Sequence, residues 1–156
     1  MNPNFATKNK FKAQINFTDM RTFEFFIRMP QIGGINMGTY MHPTPIKMIE
    51  YPGDSINIDD VVIDFYIDEE WESWIEIFNW IKSIKSTATS FQDPLLKGDI
   101  TIEILNSKFR PVFNMVLVDV WPYSLTAIAL EVDDDTSPMM GQAIFKCDDI
   151  KVLPKN

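Results

Sequence analysis

Apolar and polar residues alternate with a period of two over residues 11–17 (FKAQINF), which set Phe11, Ala13, Ile15 and Phe17 on one side. Residues 23–28 (FEFFIR) do the same with Phe23, Phe25 and Ile27. This period marks half-buried strands, and the connector 18–22 is of hairpin length. Residues 61–67 (VVIDFYI) are β-branched or aromatic on both faces except for Asp64, which predicts a central strand. Residues 99–106 and 112–121 alternate again and predict an antiparallel pair, the second member ended by Pro122 because proline lacks a ladder donor. A last hairpin is predicted from 126–132 (TAIALEV) and 141–152 (GQAIFKCDDIKV) around a polar turn at 133–138.

One stretch follows the helical period instead. Asp68 stands at an N-cap position, Glu69, Glu70 and Glu72 fill the first turn, and Lys82 and Lys85 fall in the last, so both ends fit a helix over 69–85. Within it Trp71, Trp74, Ile75, Phe78, Ile81 and Ile84 recur at spacings of three and four, while Glu72, Glu76 and Asn79 fall mostly off that stripe. Trp71, Trp74 and Phe78 are therefore expected to form the helix core against a sheet. Residues 29–60 carry Pro30, Gly33, Gly34, Gly38, Pro43, Pro45, Pro52 and Gly53, and read as a long loop with a short strand at 44–50. Structureless connections of that length are usually functional, so its partner is sought outside the fold. Residues 86–98 form a second loop, and residues 1–10 an N-terminal arm. The expected whole is a single domain over 1–156, mainly β with one packed α-helix.

Composition agrees with that size: 156 residues, 46% apolar and 23% charged, fit one domain with a core that needs no staple. A single cysteine, Cys147, forbids an internal disulfide, and a single histidine, His42, forbids a zinc site of two histidines or a cysteine pair. No metal or cofactor is expected. The sequence has no run of 18 apolar residues and no apolar segment of signal-peptide length at its start, so it reads as a cytoplasmic product without a membrane span.

The net charge of −8 is unevenly spread. Residues 1–47 hold six basic and two acidic groups, residues 48–81 hold ten acidic and no basic groups, and residues 82–156 hold eight basic and ten acidic. An anionic chain is a poor match for nucleic-acid phosphates, whose affinity comes from Lys and Arg. The split fits a head-to-tail contact in which a basic arm meets the acidic block of the next copy, although charge blocks also solvate the faces of monomers.

No catalytic constellation emerges. Asp59 with Asp60, the run 68–70 and the run 133–135 bring carboxylates together, but neighbouring strand residues point to opposite faces and the run 68–70 is explained by the helix start. His42 has no serine or cysteine nucleophile in a recognisable turn. Cys147 alternates with apolar neighbours and reads as a small buried residue. The glycines of IGGINMG (32–38) do not follow the strand, turn and helix order of a phosphate cradle. Met29, Met37, Met41 and Met48, with Ile35, Tyr40 and Tyr51, lie in or beside the long loop, where they either fold onto their own core or adapt to another protein.

The run PGDSINIDDVVIDFYIDEEWESWIEIFNWIKSI (52–84) resembles the tail-tube protein family of phages with contractile tails. It has a Gly-Asp after a proline-bearing loop, an Asp-Asp pair opening a strand, an acidic strand end and a helix with spaced aromatics ending in Trp-Ile. The run 118–152 is similar to that family's closing region, in which a strand ends in Trp-Pro and a hairpin of alternating apolar residues follows. The resemblance implies an antiparallel β-sandwich or barrel of the phage tail-tube type, similar to type VI secretion and contractile injection tubes. It implies hexameric rings stacked into a tail tube for DNA ejection, a structural role and no catalytic, cofactor or metal residues. The implied partners are copies of itself, the tail sheath, the baseplate and the tape-measure protein, with DNA passing the lumen without sequence-specific binding and no membrane contact. The implied location is the virion tail, after synthesis in the host bacterial cytoplasm. Baseplate tube initiators and tail terminators share the fold and stay open as alternatives. On this reading Met37, Tyr40, Met41, Tyr51, Asp59 and Asp60 form the self-assembly interface. A monomeric β-sandwich binding module with Trp71, Trp74, Trp80 or Tyr123 as platforms is the competing class, and a carboxylate hydrolase a third.

Overall fold

Alternation becomes burial wherever a second layer faces it. In the computed structural model, which describes residues 9–17, 20–87, 97–128, 130 and 137–154, the chain order is β1 (Phe11–Asn16), α1 (Arg21–Phe26), β2 (Ile27–Gln31), β3 (Ile35–Pro43), β4 (Met48–Ile58), β5 (Val61–Tyr66), α2 (Glu72–Thr87), β6 (Gly98–Leu105), β7 (Pro111–Leu125), β8 (Met140–Lys146) and β9 (Asp149–Pro154). Alternate residues of β5, of the first part of β6 and of β8 are buried: Val61, Ile63 and Phe65, then Ile100 and Ile102, then Ala143 and Phe145. The expected turn 133–138 and the acidic run 133–135 fall on or across residues 131–136, outside the described residues, as do positions 1–8 of the arm and most of the second loop.

Strand β7 is the corner of the molecule. Its first half, Phe113–Val118, lies between β6 and β9, whereas Trp121–Leu125 pairs with β8. The change occurs at Asp119, which has a left-handed φ of 54° and whose backbone N–H donates to Asp99 Oδ1 at 3.1 Å. An irregular register between Gly98 and Ile100 faces this point, so a bulge bends the strand from one layer into the other. One layer is β1-β6-β7-β9 and the other β7-β8-β5-β2, all antiparallel. Pro122 does not end β7 as expected, because a second irregularity between Pro122 and Ser124 lets the strand pass a residue that cannot donate. The predicted closing hairpin is also replaced. Thr126–Ile128 are irregular, Ala129, Glu131 and Val132 lie outside the described residues, and the run 141–152 is cut at Cys147 into β8 and β9, both paired to β7.

Among the described residues two helices, where one was expected, close the space between the layers. Residues 23–28 do not form a strand paired with β1; they belong to α1 and the start of β2, and β1 pairs with β6. Six residues are too few to separate a period of two from one of 3.6, and tertiary contact decides. The Phe23 ring is fully buried, 4.8 Å from Phe65 and 6.2 Å from Phe145, while Phe25, inward in a strand, stands 82% exposed. Glu24 Oε2 accepts from the Ile15 backbone N–H at 3.1 Å, and Glu76 Oε2 from that of Phe23 at 2.8 Å, tying α1 to β1 and to α2. Gly141 faces Phe65 across the β5–β8 ladder, where a Cβ would come 2.7 Å from the ring, so only glycine lets the ring lie flat there.

The segment 29–60 is not a long loop. It contains the end of β2 and a two-stranded hairpin, β3–β4, registered from Ile35↔Ile58 to Pro43↔Met48. Its prolines and glycines fall where a ladder tolerates them. Pro30 lies in the edge strand β2, and Pro45 in the turn, where the Thr44 backbone N–H donates to Lys47 O at 3.0 Å. Pro52 closes a register shift at which a Cβ on Gly38 would collide with Ser55 Oγ and one on Gly53 would come 2.9 Å from Gly38 O.

Candidate assembly surface

The hairpin lies in its own two-stranded sheet, apart from the seven-stranded one. Directly opposed residues share a face, so Ile35, Met37, Met41, Met48, Ile56 and Ile58 fall on one side with Thr39 and Glu50, and Tyr40, Tyr51, His42 and Ile49 on the other. Met37 and Met41 are 59% and 60% exposed. The Tyr40 and Tyr51 rings stack 5.6 Å apart with His42 edge-on to Tyr51 at 6.2 Å. Across the strands, Thr39 Oγ1 donates to Glu50 Oε1 at 2.6 Å. An isolated two-stranded ribbon is at best marginally stable in water, and one carrying apolar side chains on both faces gains most from being covered.

Asp59 and Asp60 stand at the foot of this hairpin, and the chain already uses both. Asn36 Nδ2 donates to Asp59 Oδ1 at 3.0 Å, and the Asp59 backbone N–H donates to Gly34 O at 2.9 Å. Asp60 Oδ1 lies 2.6 Å from Lys146 Nζ. That hydrogen bond and the carboxylate charge push the exposed Lys146 ammonium above its ordinary value. The structure thus gathers Met37, Tyr40, Met41, Tyr51 and Asp59 into one projecting element with Asp60 at its root.

Helix α2 begins later than the spacing predicts, at Glu72 rather than 69, because Asp68 caps it from a full turn upstream. Trp71 N donates to Asp68 O at 3.0 Å, Glu72 N to Asp68 Oδ2 at 3.0 Å, and both Ser73 N and Ser73 Oγ to Asp68 Oδ1 at 2.9 and 2.7 Å. Burial pushes the Asp68 carboxyl upward, but these bonds outweigh it and hold the group below its ordinary 3.8. The tight turn leaves Trp71 at a φ of 60°.

The helix carries two apolar stripes, and the one the spacing picks out is buried only in part: Trp74, Ile81 and Ile84 pack against the core, whereas Ile75 and Phe78 are exposed. Ser73, Ile77 and Trp80 are buried, with Trp80 stacked on Phe17 at 4.1 Å and tilted against Phe145 at 5.9 Å. Trp71, Trp74 and Phe78 form a surface ladder, ring to ring at 6.1 and 5.2 Å, capped by Lys82 Nζ at 5.5 Å from Phe78. Of these only Trp74 packs against the core, its Nε1 buried without a hydrogen-bond partner; Phe78 is 39% and Ile75 43% exposed. The inner stripe opens with a polar residue, Ser73, satisfied by Asp68 and by Tyr66 O at 3.2 Å, which hid it from a hydrophobic count. The Asp68-to-Ser73 spacing was the one signal that could have revealed it.

The remaining candidates gather no reactive centre. His42 is exposed on β3. Cys147 is partly buried between β8 and β9 rather than within a strand, and burial, with Asp148, Asp149 and Asp60 nearby, pushes its thiol up and away from the reactive thiolate. Trp80, a possible platform, is core, whereas Tyr123 is exposed with Lys146 Nζ 4.8 Å from its ring. Among the described residues no cluster of three or more His, Cys, Asp or Glu is placed to hold a metal ion. In the same residues no helix is long and apolar enough to cross a membrane.

No protein-family model matches the chain. The tail tube terminator protein of Enterobacteria phage T4 is 26% identical over 105 residues, covering 65% of this chain and 60% of that protein. The chain thus spans about three fifths of the curated relative's length. Among solved structures, a chain of the anti-feeding prophage cap, described as its tube terminating cap, superposes with a TM-score of 0.74 over 99% of this chain and 95% of its own, at 12% identity. A chain of the sheath–tube complex of PVC, an extracellular contractile injection system in its extended state, superposes with a TM-score of 0.70 over 98% and 94%, at 14% identity.

Proposed function

We propose, from the premise that this chain has the tail-tube fold of contractile injection systems, that it is a structural subunit terminating the tube of a contractile phage tail. The observation that supports the reading is the β3–β4 hairpin, an apolar ribbon over which the described residues place no second layer. A copy stacked on or beside it supplies that layer. The curated relative favours the terminator alternative over a tube-body subunit, which the sequence reading had put first. The likeness to a chain of a sheath–tube complex keeps the tube body as the second reading.

On this reading the subunit forms a hexameric ring that caps the stack and leaves a lumen for DNA. Sheath, baseplate and tape-measure proteins are its neighbours in the virion tail, assembled in the host cytoplasm. Its role is structural rather than enzymatic, in keeping with the tail components it resembles. The test is light scattering and negative-stain microscopy of the purified protein, alone and mixed with tubes of the same tail. Six-fold rings that bind tube ends are expected. Incorporation along the tube wall would assign the body instead, and a monomer that ignores tubes at every concentration would overturn both readings.

A further inference from the structure

Two exposed surfaces outside the hairpin match each other in charge and in apolar content. One is the outer stripe of α2, where the partly buried Trp71 and Trp74 join the exposed Ile75 and Phe78 beside the exposed carboxylates of Glu69 and Glu70. The other is the turn joining β6 to β7, where Lys108 and Arg110 flank Phe109, 70% exposed, with Val112 beyond. Lys10 adds a third cation, its Nζ 4.5 Å from the Phe109 ring and 2.7 Å from Ser107 O.

The turn is a built tip. Asn106 Oδ1 accepts from the backbone N–H groups of Lys108 and Arg110 at 2.9 and 3.0 Å, and Asn106 O accepts from Phe109 N at 2.9 Å. Among the described residues only three non-glycine positions have positive φ: Asp119 at the β7 bend, and Trp71 and Phe109, the leading aromatics of these two surfaces.

Their placement suits a head-to-tail contact. The basic turn lies at the N-terminal end of β7. The C-terminal end of β7 pairs with β8 at Ala143, and β8 begins opposite Tyr66, the last residue of β5 before α2. The two surfaces thus occupy opposite ends of the corner strand, where one cannot meet the other within a chain.

We propose that the acidic aromatic stripe of α2 receives the Phe109-tipped basic turn of a second copy, with Lys108 and Arg110 facing Glu69 and Glu70 and Phe109 against the Trp71–Trp74 step. The contact is heterologous, so it propagates around a ring or along a stack. It rests on the assembly reading above but uses a different surface from the hairpin.

Charge reversal tests it. Lys108→Glu with Arg110→Glu, and separately Glu69→Lys with Glu70→Lys, are expected to weaken self-association on the order of a hundredfold at low salt, with unchanged melting, because like charges then face each other. Mixing the two variants restores association, since each turn then meets an opposite helix. Trp71→Ala weakens association without disturbing charge. Association unchanged by either reversal but abolished by Met37→Ser with Met41→Ser would overturn this contact and leave the assembly reading standing. A wild type that never associates would overturn both. Loss of binding to a short DNA duplex in Lys108→Glu with Arg110→Glu, with self-association intact, would assign the turn to phosphates and overturn the proposal.

Discussion

The β5–β8 pair and the β3–β4 pair are both antiparallel ladders with apolar residues on alternate positions, yet their side chains end in opposite places. Val61, Ile63 and Phe65 are fully buried, whereas Met37, Met41 and Ile56 are mostly in solvent. The strands do not differ in kind; what differs is what stands over them. Above β5 and β8 lie Phe23 of α1, Trp80 of α2 and the first layer of the sandwich. Above either face of the hairpin the described residues place nothing comparable. A period of two therefore identifies a strand, but burial belongs to the layer that faces it, and a strand pair without one marks a surface for another molecule.

The comparison breaks most readily in the body. Phe65→Ala removes a ring packed on Phe23 and Gly141, and is expected to cost about 3–5 kcal/mol, read by urea or thermal unfolding. A melt unchanged by this substitution would mean that the two ladders do not differ in the way their burial says.

A smaller effect is expected where the body hands over to α2. Asp68→Ala removes the acceptor for two backbone N–H groups and the Ser73 hydroxyl, and should cost about 1 kcal/mol at pH 7. The Asp68 carboxyl is held below its unfolded value of 3.8. Its contribution is therefore full above that value and is lost as pH falls through the lower folded value. The gap in Tm between wild type and Asp68→Ala should be constant near neutrality and close below about pH 4. A gap that persisted at lower pH would assign the cap to shape rather than charge.

The smallest stability change sharpens the contrast. Met37→Ser with Met41→Ser is expected to alter the stability of the isolated subunit by no more than about 0.5 kcal/mol, because both side chains are already in water. Self-association should nevertheless be lost. A large drop in the subunit's own Tm would show that the hairpin is covered by its own chain.

The apolar character of the hairpin is legible in the residues, and its strand structure is not. Met37, Tyr40, Met41 and Tyr51 read as apolar residues that either fold onto their own core or meet another protein, and the structure holds them exposed on one element. Eight prolines and glycines in that segment argued for a loop, since sequence alone does not reveal that an edge, a turn and a bulge can absorb them. Asp60 is expected at the interface, and the structure pairs it with Lys146, 86 positions away in the chain, a contact no local pattern reveals.

Short-range pattern was sufficient for β1, β5, β6 and most of β7, for the existence of α2, and for its cap at Asp68, because side-chain direction follows local backbone geometry. Tertiary structure alone decided four things. It made residues 21–26 a helix by offering Phe23 a place between Phe65 and Phe145. It turned α2 so that Trp80 rather than Phe78 faces inward, since Phe17 and Phe145 complete a ring stack there. It carried β7 through Pro122 and around Asp119 from one layer into the other. And it left the hairpin bare. Each of these depends on which surface lies opposite a segment, and that surface comes from residues distant in the chain, where no local period reaches.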